Sequence, residues 1–145
     1  MQEFYLNSEY VFKIGEDDEN LKRLGAGLSS VDTEGNEEVD QTPYLDGEGF
    51  ATSDVTGGQP TFSFEGHRLF SDDAQNFVFE KQYTYGMSRR CYFKVESPNG
   101  DEVAGEATIA NIEGPGGDAN AKGEVSFEVH FAGKPTFTPA TETTE

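Results

Sequence analysis

The chain is poor in positive charge. Ten Lys and Arg stand against 28 Asp and Glu in 145 residues, a formal net charge of −18. Holding DNA, RNA or an anionic membrane needs clustered Lys and Arg that displace counterions, so tight binding to a polyanion is excluded. One cysteine, Cys91, can neither staple the fold nor build a zinc site. Two histidines, His67 and His130, are too few and too far apart to suggest a metal cluster. No apolar run approaches the roughly 20 residues that cross a bilayer. The opening MQEFYLNSEYVFKIG has no basic stretch followed by an apolar one, so no secretion signal is expected there. G-x-S-x-G, a phosphate-binding loop and H-E-x-x-H are all missing.

What is present is the material for a thin core. Phe, Leu, Ile and Val make about 21% of the chain, just above the roughly 20% below which a highly charged chain tends to stay disordered. Twelve Phe and six Tyr argue for real burial, since each buried aromatic removes about 150–250 Å² from water. The length suits one domain, expected over residues 1–138, with a flexible tail over 139–145.

The dominant hydropathy period is two. Val125, Phe127, Val129 and Phe131 share one face of a strand, with Ser126, Glu128 and His130 on the other. Cys91, Phe93 and Val95 alternate in the same way. Pro98-Asn99-Gly100 then turns the chain into a return strand from Glu102 to Ile112 that carries Val103, Ala107 and Ile109 on one face. Tyr10, Phe12 and Ile14 predict a further strand with Phe4–Leu6 leading into it. Phe62 and Phe64 predict another, and Thr136–Thr138 a short last one. One amphipathic helix is predicted over Asp72–Lys81. Asp72 can cap it, Gln75 sits three residues on as in a capping box, and Ala74, Phe77 and Val78 fall on one face. A weaker helical turn is read over Asp17–Leu24. The fold class is therefore all-β with one short flanking helix. Residues 32–60 and 113–123 are polar, rich in acids and glycine, and read as long loops, which in a compact domain are functional or disordered.

Candidate chemistry is sparse. Cys91 alternates onto an apolar face and reads as a small buried hydrophobe. His67, just after a strand, and His130, on a strand's polar face, have no partner motif for acid–base work. Glu16–Glu19 and Asp46-Gly47-Glu48 gather carboxylates but lack the register of a calcium loop, so they read as solvated charge. No catalytic residue, metal or cofactor is expected. Assembly is the other route to function: exposed sheet edges pair with other chains unless charge blunts them.

Three strings carry a resemblance: NEEVDQTPYLDGEGFATSDVTG (36–57), FEGHR (64–68) and ATIANIEGPGGDANAKGEVSFEVHFAGKP (107–135). Together they resemble the major tail tube protein of long-tailed bacteriophages, over about residues 36–137. The resemblance implies a β-sandwich or partial barrel, the fold shared with the inner tube of type VI secretion machines. It implies a structural virion protein whose subunits form hexameric rings, stacked into a tube through which DNA passes without specific binding. Other tail proteins (tape measure, tail terminator, distal tail protein) are the implied partners. The implied place is the virion tail, assembled in the host cytoplasm, with no membrane contact.

In the family the long loop between early strands reaches neighbouring subunits and rings. Here that corresponds to about 36–60, with Asp40, Gln41, Thr42, Tyr44, Leu45, Asp46 and Phe50. The second loop, 113–123, with Pro115, Asp118 and Asn120, is expected at a subunit or ring junction. Neither loop is expected to be well ordered in a free monomer. Glu106 and Glu128, on polar strand faces, are candidates for the lumen lining. Lys22, Arg23, Arg68, Arg89 and Arg90 are the cations available to acids of adjacent subunits. The other reading of the same residues is an acidic β-sandwich that binds a carbohydrate or protein through its loops.

Overall fold

Alternating apolar side chains build most of the architecture. The computed structural model describes residues 4–140, so 141–145 of the expected tail lie outside the described residues. The elements in chain order are β1 (Val11–Gly15), β2 (Leu21–Leu24), β3 (Leu28–Glu34), β4 (Glu38–Pro43), β5 (Ala51–Gly57), β6 (Thr61–His67), α1 (Asp73–Phe79), β7 (Arg90–Glu96), β8 (Glu102–Gly116), β9 (Glu124–Phe131) and β10 (Thr136–Thr138). Eight strands form one antiparallel sheet in the order β2-β1-β7-β8-β9-β6-β3, with β10 paired to β8. β4 and β5 form a separate two-stranded sheet.

The large sheet rolls on itself. Phe12 on β1 lies four strands from β6 in the sheet order, yet its ring sits 5.2 Å from Phe64 and 6.2 Å from Phe62. Phe93, Phe127 and Phe131 complete this aromatic interior. Such edge-on and offset pairs contribute roughly 0.5–1.5 kcal/mol each beyond the area they bury. The β8–β9 ladder is interrupted by register shifts between Ala110, Glu113 and Gly116, and Asn111 adopts φ 50° there. The result is a partial barrel with one flanking helix, the fold class read from the sequence. The expected inward residues of β1, β6, β7, β8 and β9 pack in or against this core, except Val125, which is buried outside it.

α1 lies against β1, β2 and β8 and buries Ala74, Phe77 and Val78. Asp72 caps it, accepting from the Gln75 backbone N–H at 3.0 Å. The capping-box expectation fails for the Gln75 side chain, which turns inward and is fully buried. Its Oε1 accepts from the Leu69 N–H at 2.8 Å and from Arg68, and its Nε2 donates to the Ala26 and His67 carbonyls, each at 2.9 Å.

Four expectations are corrected. Residues 38–57 are not loop but the β4–β5 hairpin. Their β-branched residues Val39, Thr42, Thr52, Val55 and Thr56 favour strand, but neither face is buried, so no apolar alternation announces it. β8 runs on to Gly116, so the second long segment is loop only beyond that residue. The helical turn over Asp17–Leu24 is instead a turn and β2. Asp17 Oδ1 accepts from the Glu19 and Asn20 N–H groups at 3.0 Å, which reverses the chain rather than starting a helix. Phe4–Leu6 forms no strand and leads into a short 3₁₀ turn over Asn7–Glu9.

Candidate assembly interface

The hairpin is the most exposed structured part of the chain. From Asp32 to Gln59 only Thr42 and Gly47 are even half-buried. β4 and β5 pair with each other and with no strand of the barrel. The tip turns twice in succession, with Gly47 N–H donating to the Tyr44 carbonyl and Phe50 N–H to the Gly47 carbonyl, both at 3.0 Å. Glu48 and Gly49 take φ 55° and 91° to complete the reversal. Tyr44, Leu45 and Phe50 stand in water there, Leu45 completely. An isolated two-stranded hairpin is marginal in water, and this one carries a cluster of exposed apolar side chains at its tip. At its base the Gln59 N–H donates to the Gly35 carbonyl at 3.1 Å, and Asn36 Nδ2 donates to the Gln59 carbonyl and Thr61 Oγ1.

The structure divides the expected contact residues between two ends. Asp40, Gln41 and Thr42 lie on β4, and Tyr44, Leu45, Asp46 and Phe50 form the tip or its border. Pro115 lies near the end of β8, following a cis peptide bond from Gly114, while Asp118 and Asn120 lie in the turn before β9. β6 spans the gap. Glu34 pairs with Thr61 at the hairpin end, and Glu124 pairs with His67 beside the second turn. Seven residues at about 3.3 Å each separate the two by roughly 20 Å, so they occupy opposite rims.

Glu106 and Glu128 lie on the outer face of adjacent strands, opposite the buried Ala107, Phe127 and Val129. Glu106 is paired across from Tyr92 and is exposed. Glu128 Oε1 contacts His130 Nε2 at 2.8 Å. The same face carries two lysines with partners of their own, Lys13–Glu96 at 2.6 Å and Lys94–Glu102 at 3.4 Å.

Two of the expected cations are spent inside the subunit. Arg68 donates to the Leu69 carbonyl, Gln75 and Asn76, and stacks on Phe70 and Phe79. Arg89 donates to the carbonyls of Thr84, Gln82 and Ile109. Sequence reasoning missed the exposed apolar residues Tyr83, Tyr85 and Met87 around the 3₁₀ turn Gly86–Arg89. Their only signal is an apolar type in a segment without periodicity.

Cys91 is buried, and desolvation pushes its thiol up to about 12 although Lys81 pulls the other way. The native protein should therefore stay unmodified by a thiol reagent at pH 8 and titrate one thiol after denaturation. Rapid labelling of the native chain would contradict that burial. Among the described residues no group of three or more His, Cys, Asp or Glu comes together to hold a metal, and no helix is long and apolar enough to cross a membrane.

A large antiparallel sheet with one short helix matches the fold of chains from tails and tubes of phage-like particles. The chain is similar to one in the tail of an empty GTA particle solved with C6 symmetry, at 18% identity and TM-score 0.76, over 94% of this chain and 100% of that one. A chain of the native gene transfer agent virion matches at 19% identity and TM-score 0.72, with the same coverages. The tube-terminating cap of the anti-feeding prophage matches at 14% identity and TM-score 0.62, over 97% of this chain and 94% of that one. No protein-family model and no curated protein sequence matches the chain.

Proposed function

We propose that this chain is the structural protomer of a phage-like tail tube, closing with copies of itself into hexameric rings that stack around a conduit for DNA. The observation that carries the reading is the match to a chain of a C6-symmetric tail, over 94% of this chain and 100% of that one. The opposite placement of hairpin and second turn supports it. Stacked rings need different surfaces on their two rims, and a contact between unlike surfaces propagates. The hairpin adds reach, since the seven residues of β5 span roughly 23 Å at about 3.3 Å each.

The charge fits a conduit rather than a clamp. Carboxylates cannot hold DNA by counterion release as lysines would. With a Debye length of about 8 Å at physiological salt they act as short-range bumpers. Glu106 and Glu128 are the proposed lining, repeated by the ring symmetry. Tape measure, tail terminator and distal tail protein are the proposed partners in the virion tail, with assembly in the host cytoplasm.

Negative-stain microscopy of concentrated protein tests the proposal. Tubes or stacked rings are the expected result, and discrete monomers at every concentration and salt would favour the loop-presenting binding module instead. Salt gives a second readout. Each subunit carries −18, so repulsion opposes ring closure. The screening length falls from about 30 Å at 0.01 M to about 3 Å at 1 M. Sedimentation across that series should find mainly monomers at the low end and tubes at the high end, and faster tube growth at low salt would overturn this account of the charge.

A further inference from the structure

The rolled sheet does not close. Among the described residues β2 pairs only with β1, and β3 only with β6, so each leaves one edge open. Between these edges lies a groove of about 570 Å³, with Tyr10, Phe12, Leu28, Val31 and Phe64 in its walls and Arg23 beside them. Arg23 is exposed and has no ion-pair partner among the described residues. In a chain with 28 acids, a free cation next to an apolar groove is a specific feature.

We propose that this groove receives the hairpin tip of a second copy, an inference that rests on the tail-tube reading and names the contact that links its subunits. The tip offers what the groove lacks. Tyr44, Leu45 and Phe50 are exposed apolar groups, and Asp46 and Glu48 between them are acids suited to Arg23. The tip does not fill the groove of its own chain, because Leu45 is wholly exposed. Placement also suits a partner copy. The hairpin leaves β3 after Glu34, whereas the groove lies along Leu28–Val31, toward the end where Leu28 pairs with Gly66. Donor and acceptor are thus different surfaces set toward opposite ends, so every copy gives one tip and takes one, and the contact can be repeated from copy to copy.

Cross-linking tests this on the full chain; Cys91 is buried in the folded subunit, and excess alkylating reagent added on denaturation blocks it from disulfide exchange. Leu45→Cys protein is mixed with Ser30→Cys protein, assembled at high salt, checked for tubes by microscopy, oxidised, and run under denaturing, non-reducing conditions. Covalent dimers are expected from this mixture and not from Leu45→Cys mixed with Phe137→Cys. Tubes without the 45–30 link, or with the 45–137 link in its place, overturn the groove assignment and leave the tube reading standing. Absence of tubes from the unmodified protein at every salt overturns the tube reading and this inference with it. Charge reversal gives an independent readout that does not depend on the cysteines. Arg23→Glu should raise the concentration needed for half-assembly about tenfold at fixed salt, and adding Asp46→Lys with Glu48→Lys in the same chain should recover most of it. No change on Arg23→Glu, or no recovery, counts against the contact.

Discussion

Deleting residues 37–57 should yield a folded monomer that forms no tubes at any salt. The cut leaves Gly35-Asn36-Gly58-Gln59, and the base already has the geometry of a short turn. The Gln59 N–H donates to the Gly35 carbonyl at 3.1 Å, Asn36 is at φ 49°, and Gly58 lies against Glu37. Asn-Gly is the sequence such a two-residue turn favours. None of the deleted residues belongs to the aromatic core, so thermal stability should change by no more than a few degrees. Assembly loses the burial of Tyr44, Leu45 and Phe50. Burying one such side chain stabilises by roughly 1.5–3 kcal/mol, so the three together contribute about 5 kcal/mol, or three to four orders of magnitude in association. Circular dichroism and sedimentation of the deletion protein check both halves. A deletion protein that still grows normal tubes would show that the hairpin is not the link between copies.

Gln75→Leu should be a damaging single change in the body. Gln75 is fully buried, and its amide joins three backbone segments: the Ala26 carbonyl, the His67 carbonyl and the Leu69 N–H. Leucine fills similar space but removes the partner of all three groups; Ala26 and Leu69 are exposed and His67 half-buried, so each loss costs about 1 kcal/mol, near the low end of the range for a buried group. The expected loss is about 2–3 kcal/mol, a fall in Tm of roughly 5–10 °C for a chain of this size. Gly27 makes the site harder to repair. It sits at φ 81°, and a Cβ there would come within 2.7 Å of Gln75 Nε2 and the His67 carbonyl. Gln41→Leu, on the exposed hairpin, is the control and should move Tm by about a degree or less. Equal Tm values for the two variants would mean that the buried amide does not hold these segments.

Both predictions concern local structure that was hidden in the chain. Gln75 follows Asp72 at capping-box spacing, and from sequence its side chain points back to the helix start. Its burial depends on Ala26, 49 residues away, and no local pattern carries that distance. The hairpin was hidden for the opposite reason. Hydrophobic alternation records which face of a strand is buried, and β4 and β5 bury neither in the single chain. Leu21 and Leu24, three apart, imitate a helical stripe, yet pairing with β1 makes them strand residues.

The sequence by itself determined the all-β class, the inward faces of β1, β6, β7, β8 and β9, the capped helix and the acidic, clamp-free surface. These follow from side-chain period and composition, which are properties of neighbours along the chain. Only the tertiary structure decided that the sheet rolls until Phe12 meets Phe64, that its open edges leave a groove beside Arg23, and that hairpin and second turn stand on opposite rims. Those facts arise from contacts between residues far apart in sequence, set by how strand twist accumulates across the whole sheet, and no window of neighbouring residues contains them.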